Sequence, residues 1–249
     1  MISGCFNNDF RKYGDNPVRI YYYTENVFPD FNVFDYAIGC RWLDFGERHM
    51  HYSFWQYNYR RWDSIDNSKL LDLLARRKFC NFIYSNSHLG RGARLRQEFC
   101  KKLMEYKHVD CPGKVLNNMA DAIVPRTGDW ARGKEDFIKD YKFTIAFENS
   151  MTDGYTTEKM GQPLLMNSVP IYWGNRLVAK EFNPEAFIDA NDFSDWDALI
   201  QRVIELDNND NEYMRMLRQN PIIGKVPNYD QMLCDHMLNI FQNGKKFTK

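Results

Sequence analysis

Residues 141–175, YKFTIAFENSMTDGYTTEKMGQPLLMNSVPIYWGN, constrain the fold more than any other stretch of the chain. They open on a short apolar run, Phe143 to Phe147, too short for a helix and rich in aromatic and β-branched residues, which predicts a buried strand. Glu148 and Asn149 stand where that strand would end. A polar loop, Ser150 to Gly154, leads to Tyr155-Thr156-Thr157-Glu158-Lys159 at the head of a helical pattern, and Val169 to Trp173 reads as a second strand closing at Gly174. Strand, loop, helix and strand within this length make a βαβ crossover and therefore a parallel sheet. Ligands of open parallel sheets bind where strand carboxyl ends meet helix amino ends. The polar residues of the stretch lie at that edge.

Their charges say what such an edge would hold. A helix amino terminus offers unpaired N–H groups and a partial positive charge, to which Lys159 adds a full one. Glu158 is an acceptor able to take two hydrogen bonds from a ribose diol, as the acidic residue of dinucleotide sites does. A phosphate-and-sugar ligand fits both. The same residues are also accounted for if Thr156 caps the helix, Glu158 complements its dipole and Lys159 is solvated.

Composition narrows the classes. A chain of 249 residues can bury a sizeable core in one or two domains. Its 33 basic and 33 acidic residues balance, so no electrostatic footprint argues for nucleic acid or an anionic membrane. Six cysteines (Cys5, Cys40, Cys80, Cys100, Cys111, Cys234) show neither CxxC nor zinc spacing and, with no secretion signal visible, are expected as reduced thiols. No apolar run approaches the roughly 18–20 residues of a membrane span.

Along the chain, Val18 to Tyr23 alternates like a strand and delivers Thr24-Glu25-Asn26 into a loop, and Phe34 to Gly39 reads as another. Residues 41–64 are dense in Trp42, Trp55, Tyr57, Tyr59 and Trp62, either packing under a loop or the wall of a cleft. His49 and His51 form HxH without a carboxylate or cysteine at ligand spacing, which favours a structural or solvated pair over a metal site. Leu70, Leu71, Leu73 and Leu74 suit a short helix over 67–77, and Phe79 to Tyr84 reads as a strand that opens a second unit. After the polar loop Ser85 to Gly90, Leu95, Phe99, Leu103 and Met104 mark one helix face. Arg91, Arg94 and Arg96 cluster at its start, against the helix dipole, as if an anion were expected there. Residues 112–136 read as loops with one weak helix. Ser194 is the expected N-cap of a helix over 195–207, with Trp196, Leu199, Val203 and Leu206 on one face. Two further helices are expected, at about 212–219 and 229–241.

FENSMTDGYTTEK followed by VPIYWGN resembles the signature of the family 10 α-1,3/1,4-fucosyltransferases. The likeness continues through VAKEFNP at 178–184, Phe187-Ile188 and Asn191-Asp192-Phe193, and reaches back to YTEN at 23–26, PDFN at 29–32 and FDYAIG at 34–39. It covers most of the chain in the expected order. One departure is Thr156, where the family usually has valine; the added hydroxyl is not a neutral change.

The resemblance implies an α/β fold of the GT-B type, two Rossmann-like domains facing a cleft, with an acceptor-side domain over 1–75 and a donor-side domain over 76–249. Bacterial relatives carry roughly one further βαβ unit before the YTEN motif, about 30 residues, so the first domain is expected to be incomplete. The implied function is that of an inverting enzyme moving L-fucose from GDP-fucose to a GlcNAc hydroxyl of a LacNAc- or lacto-N-type oligosaccharide. No cofactor would be obligatory, and a divalent metal at most stimulatory. Arg96 and Lys159 match the diphosphate contacts, Glu158 the ribose contact, Asn149 and Tyr155 further donor-site positions, and Glu25 the proposed base. Asp195-Trp196-Asp197 is a DxD, which holds metal in another glycosyltransferase class, but both acids fall in a first helical turn, where acids are favoured anyway. A bacterial-type cytoplasmic protein is implied, in at most peripheral contact with the inner membrane. The alternatives are a non-catalytic sugar- or nucleotide-binding remnant of the fold, or a transferase for another nucleotide sugar.

Overall fold

A computed structural model of the chain describes residues 1–5, 11, 12, 14, 16–53, 55, 56, 60–62, 70, 74–88, 90–119 and 130–248. Tyr57, Tyr59, Leu71, Leu73 and most of the helix expected over 67–77 lie outside the described residues.

Two parallel sheets make up the frame. The first carries β1 (Ile2–Gly4), β2 (Ile20–Tyr23), β3 (Tyr36–Gly39) and β4 (His49–His51) in the spatial order of the sequence. Ile2 pairs with Ile20, Ile20 with Tyr36 and Ala37 with His49. The second carries β5 (Lys78–Asn81), β6 (Val109–Asp110), β7 (Tyr141–Phe147), β8 (Val169–Trp173) and β9 (Ile188–Asp189) in the order β6-β5-β7-β8-β9. Its helices are α1 (Gly90–Leu103), α2 (Trp130–Ile138), α3 (Glu158–Leu165), α4 (Trp196–Asn208), α5 (Asp210–Leu217) and α6 (Tyr229–Asn243).

The strand order locates the crevice. The chain leaves β5 through α1 to β6 on one side, then returns through α2 to β7 on the other. Connections reverse between β5 and β7, so the helices after those strands splay apart at their carboxyl ends and leave a cleft. β7 and β8 are buried along their whole length because both faces are covered, which is why they read as continuous apolar runs. Phe143, Ile145 and Phe147 point into a core with Phe99, Leu103, Leu199 and Val203 from α1 and α4. Ala146 and Tyr172 face a second core with Met160 and Leu164 of α3, Ile20, Tyr36 and Ile38 of the first sheet, and Trp55, Trp62, Phe182 and Tyr229. Trp55 and Trp62 are therefore packing residues.

The chain's last described residues return to the first sheet. Asp35, fully buried, takes N–H bonds from Arg19 (2.8 Å), Phe247 (2.6 Å) and Thr248 (2.8 Å) and a hydroxyl bond from Thr248 (3.0 Å). Burial alone would raise its pKa, and these four donors hold it below the usual carboxylate value. The Arg48 guanidinium lies over Phe247, 4.4 Å from the ring centre. Among the described residues no helix is long and apolar enough to cross a membrane.

Two caps differ from expectation by one residue. Asp195, not Ser194, caps α4, accepting from the Ala198 N–H at 2.9 Å, while Asp197 pairs with Lys102 at 2.7 Å. The DxD acids thus have different structural partners. Thr157, not Thr156, caps α3.

Candidate active site

The crevice is built by a close approach. Gly90, at φ 75°, opens α1, and a Cβ on Gly92 would lie 1.9 Å from the Glu148 carbonyl oxygen. Only glycine there lets the start of α1 press against the Glu148–Asn149 backbone, where the Gly92 N–H donates to the Asn149 carbonyl at 3.0 Å. Arg96, one turn further on, is thereby carried under the end of β7. It is 1% exposed, stacks on Tyr84 at 3.9 Å, and donates to Asn149 Oδ1 (2.9 Å) and the Asn86 carbonyl (2.5 Å). Its Nε has no partner among the described residues, and none of their carboxylates is in salt-bridge contact with it. Burial lowers its pKa, yet a guanidinium stays charged. A buried cation held by neutral acceptors is a receptor for an anion. Arg91 and Arg94 are exposed and line an open cavity of about 640 Å³ with Ser87, His88 and Gln97, so the three arginines divide between two places.

Glu148, also fully buried, organises the other side. Its Oε1 accepts from the Thr157 N–H (2.7 Å) and hydroxyl (2.9 Å), and its Oε2 lies 3.2 Å from the Lys159 ammonium. Lys159 also donates to the Thr157 hydroxyl at 3.0 Å, so it is folded inward and not solvated. Burial works to neutralise it, but Glu148 and Glu158 outweigh burial and raise its pKa well above the usual lysine value. Glu158, first residue of α3, resists burial in the same way. Lys159 at 3.6 Å and Lys134 at 3.9 Å hold it ionised, with a pKa of about 2. Adjacent residues at the end of β7 thus position the two expected phosphate contacts, Asn149 touching Arg96 and Glu148 touching Lys159.

The first sheet meets this edge with its own carboxyl ends. Glu25, half-buried after β2, accepts from the Tyr155 hydroxyl at 3.2 Å. Beside it, Asn26 donates to Ser150 (2.5 Å) and Arg41 to Asn26 (2.9 Å). The Trp42 N–H donates to the Asp153 carbonyl (3.1 Å), and Gly154, at φ 90°, lies so close to Cys40 that a Cβ would be 2.3 Å from its carbonyl oxygen. Thr156 is fully buried; its hydroxyl accepts from Asn175 Nδ2 at 3.0 Å and its carbonyl from the Ser53 hydroxyl at 2.6 Å. Trp42, 37% exposed, stacks on His51 at 3.7 Å.

The structure therefore joins Arg96 to Asn149, Glu158 to Lys159, and Tyr155 to Glu25. Sequence reasoning missed Glu148 as an organising group and Lys134 as a member of the cluster. The HxH pair is divided: His49 bonds Tyr23 at 2.9 Å, and His51 lies 3.0 Å from Glu181. Among the described residues no group of three or more His, Cys, Asp or Glu is arranged to hold a metal ion.

Comparison with known proteins gives the family and the fold. The family described as glycosyltransferase family 10 (fucosyltransferase), C-terminal part, matches residues 73–236, and an α-(1,3)-fucosyltransferase FucT N-terminal domain matches residues 1–58. Alpha-(1,3)-fucosyltransferase FucT of Helicobacter pylori is 30% identical over 263 aligned positions, 91% of this chain. The chain spans about half of that relative's length, 52%. A crystal structure of an α1,3-fucosyltransferase superposes with a TM-score of 0.81 at 28% identity, over 100% of this chain and 79% of that one. Another, with GDP-fucose, gives 0.78 at 27% identity, over 94% and 78%. These neighbours have the GT-B architecture, and the two facing parallel sheets are that fold.

Proposed function

The chain belongs to glycosyltransferase family 10, the fucosyltransferase family, and on that premise we propose that it transfers L-fucose from GDP-fucose, with inversion, to a GlcNAc hydroxyl of an oligosaccharide in α-1,3 or α-1,4 linkage. The observation that carries the proposal is the junction at Glu148–Asn149. It sets one buried guanidinium and one partly buried ammonium at the carboxyl edge of β7, with the Glu25 carboxylate brought to the same edge by Tyr155.

In this scheme Arg96 and Lys159 bind the diphosphate and stabilise the charge that builds on GDP as the bond to fucose breaks. Glu158 accepts from the ribose hydroxyls. Asn149 orients Arg96. Glu25 takes the proton from the attacking acceptor hydroxyl while the transition state acquires oxocarbenium character. Tyr155 donates to Oε2 of Glu25 and so fixes the carboxylate for that transfer. Burial raises the Tyr155 pKa, which keeps the phenol a donor. The chain's own two cations supply the charge for the leaving group, so no metal is obligatory and a divalent ion would at most stimulate.

The test is transfer from GDP-fucose to LacNAc-type and lacto-N-type acceptors, with GDP-mannose and UDP-sugars as competing donors. Transfer from GDP-fucose above the other donors is the expected result. Binding of GDP without turnover would leave a nucleotide-binding remnant, and a preference for another donor would reassign the sugar.

A further inference from the structure

Lys134 belongs to neither expected set of site residues, yet α2 carries it into the charged cluster. It is 9% exposed, and its ammonium lies 3.9 Å from Oε1 of Glu158. Lys159, from α3, is 3.6 Å from that same oxygen. The two lysines are not equivalent. Lys159 is shared between two carboxylates, Glu148 at 3.2 Å and Glu158 at 3.6 Å, whereas among the described residues Lys134 is in salt-bridge contact with Glu158 alone. Helix α2 cannot easily carry Lys134 away. The next residue, Glu135, is held by a bidentate pair with Arg61 at 2.7 and 2.8 Å, and Ile138 is fully buried. Glu158 keeps a fifth of its side chain at the surface, where a ligand reaches it.

We infer that Lys134 is a positioning residue for nucleotide recognition: it holds Glu158 as a fixed carboxylate acceptor for the ribose hydroxyls, and so sets the preference for a ribonucleotide donor. The inference rests on the donor-site assignment proposed above and adds to it. Its logic lies in the bound state. When the diphosphate engages Lys159, that ammonium is drawn toward phosphate, and Glu158, partly buried, would be left without a counter-charge if Lys134 were absent. Lys134, held on a different helix and in salt-bridge contact with no other carboxylate among the described residues, stays. A carboxylate kept ionised and oriented accepts more strongly than one free to protonate or rotate.

The experiment is calorimetric binding of GDP, 2′-deoxy-GDP and 3′-deoxy-GDP to the full chain and to Lys134→Met, at pH 7 and at lower pH down to about 4, the ordinary glutamate range. The parent is expected to prefer GDP to at least one deoxy analogue by about tenfold or more, the worth of a hydrogen bond to a charged group. In Lys134→Met that preference should fall to about two- to threefold, with the affinity for the deoxy analogue changed far less, because the lost interaction is the one to the missing hydroxyl. The variant's remaining preference should vanish as pH falls through the ordinary glutamate range, while the parent's persists.

A scaffold role alone would weaken all three nucleotides alike and leave their ratio unchanged, and that result overturns the inference. So does a parent that binds GDP without any ribose preference, which would leave the donor site itself standing. A parent that binds no GDP removes both. Should Lys134→Met not fold, Lys134→Gln is read by the same ratios: a fall in the ribose preference supports the inference, and a preference equal to the parent's overturns it.

Discussion

Thr156, the threonine that stands where the resemblance leads one to expect valine, has a partner for its hydroxyl in the structure. Its buried hydroxyl accepts from Asn175 Nδ2, while Asn175 Oδ1 accepts from the Gly154 and Leu177 N–H groups. Thr156→Val would leave a buried amide donor unmatched, so we expect a loss of about 1–3 kcal/mol in thermal unfolding with GDP affinity unchanged. Lys159 and Glu25 allow a sharper separation of folding, binding and chemistry. Lys159→Ala should lower transfer about 10²-fold or more, but it also strands the Glu148 carboxylate and should lower the melting temperature. Adding Glu148→Gln should restore much of the stability and none of the transfer, read by melting and turnover on the same samples. Glu25→Gln should lower transfer by roughly 10²–10⁴-fold and leave GDP affinity nearly intact. Asn149, Glu158 and Lys159 were legible as candidates because one long motif fixes their spacing, and Arg96 because a cluster of arginines opposes the dipole at the start of its helix. Glu148 was not read as an organiser because a carboxylate at a strand end gives no sign of whether it turns inward. Lys134 was hidden in a run of mixed charge, Arg132 to Asp136, that looks like any solvated helix face.

Among elements, those with a repeating pattern were found and those too short to have one were not. β2, β3, β5, β7 and β8, and α1, α4, α5 and α6, appear within a few residues of their expected bounds. β1, β4, β6 and β9 span only two or three residues each, below the length at which alternation can be seen, and they exist because a neighbour offers a paired edge. Neither the start of α3 nor that of α4 was placed correctly, since two adjacent residues could cap and only geometry chooses between them. The glycine at the start of α1 is where an element's position becomes a property of the site. Gly92→Ala places a methyl against the Glu148 carbonyl with backbone on the far side, so α1 must shift. We expect a loss of roughly 1–3 kcal/mol, as for overpacking in a core, together with weakened GDP binding because Arg96 moves with the helix. Gly161→Ala is the control: its Cβ would meet Trp62 at 3.6 Å, ordinary contact, and should be neutral or slightly stabilising.

At the scale of the molecule, both sheets end at one cleft and the tail returns to close the first of them, while two buried titratable residues give the whole a pH signature. Burial, and then His51, lowers the His49 pKa to about 4, below its usual value. The unfolded chain therefore binds the extra proton between about pH 6.5 and 4, so this residue costs stability as pH falls through that window. Asp189 acts in the opposite sense. Burial raises it to about 6, and its protonation favours the folded state as pH falls below that value. The two largely offset each other in the parent. The informative quantity is the stability difference between the parent and His49→Gln, which should shift in the variant's favour as pH drops from 6.5 to 4, read by denaturant unfolding. The tail's return bears on how the chain is made. Asp35 is sealed by donors 212 and 213 residues downstream. At a translation rate of roughly 5–20 residues per second, that carboxylate waits about 10–40 seconds on the ribosome before its partners are synthesised. Until then the first sheet can be hydrogen-bonded but not closed, and a nascent chain stalled near residue 240 should expose Tyr36 and Asp35 to solvent and to chaperones.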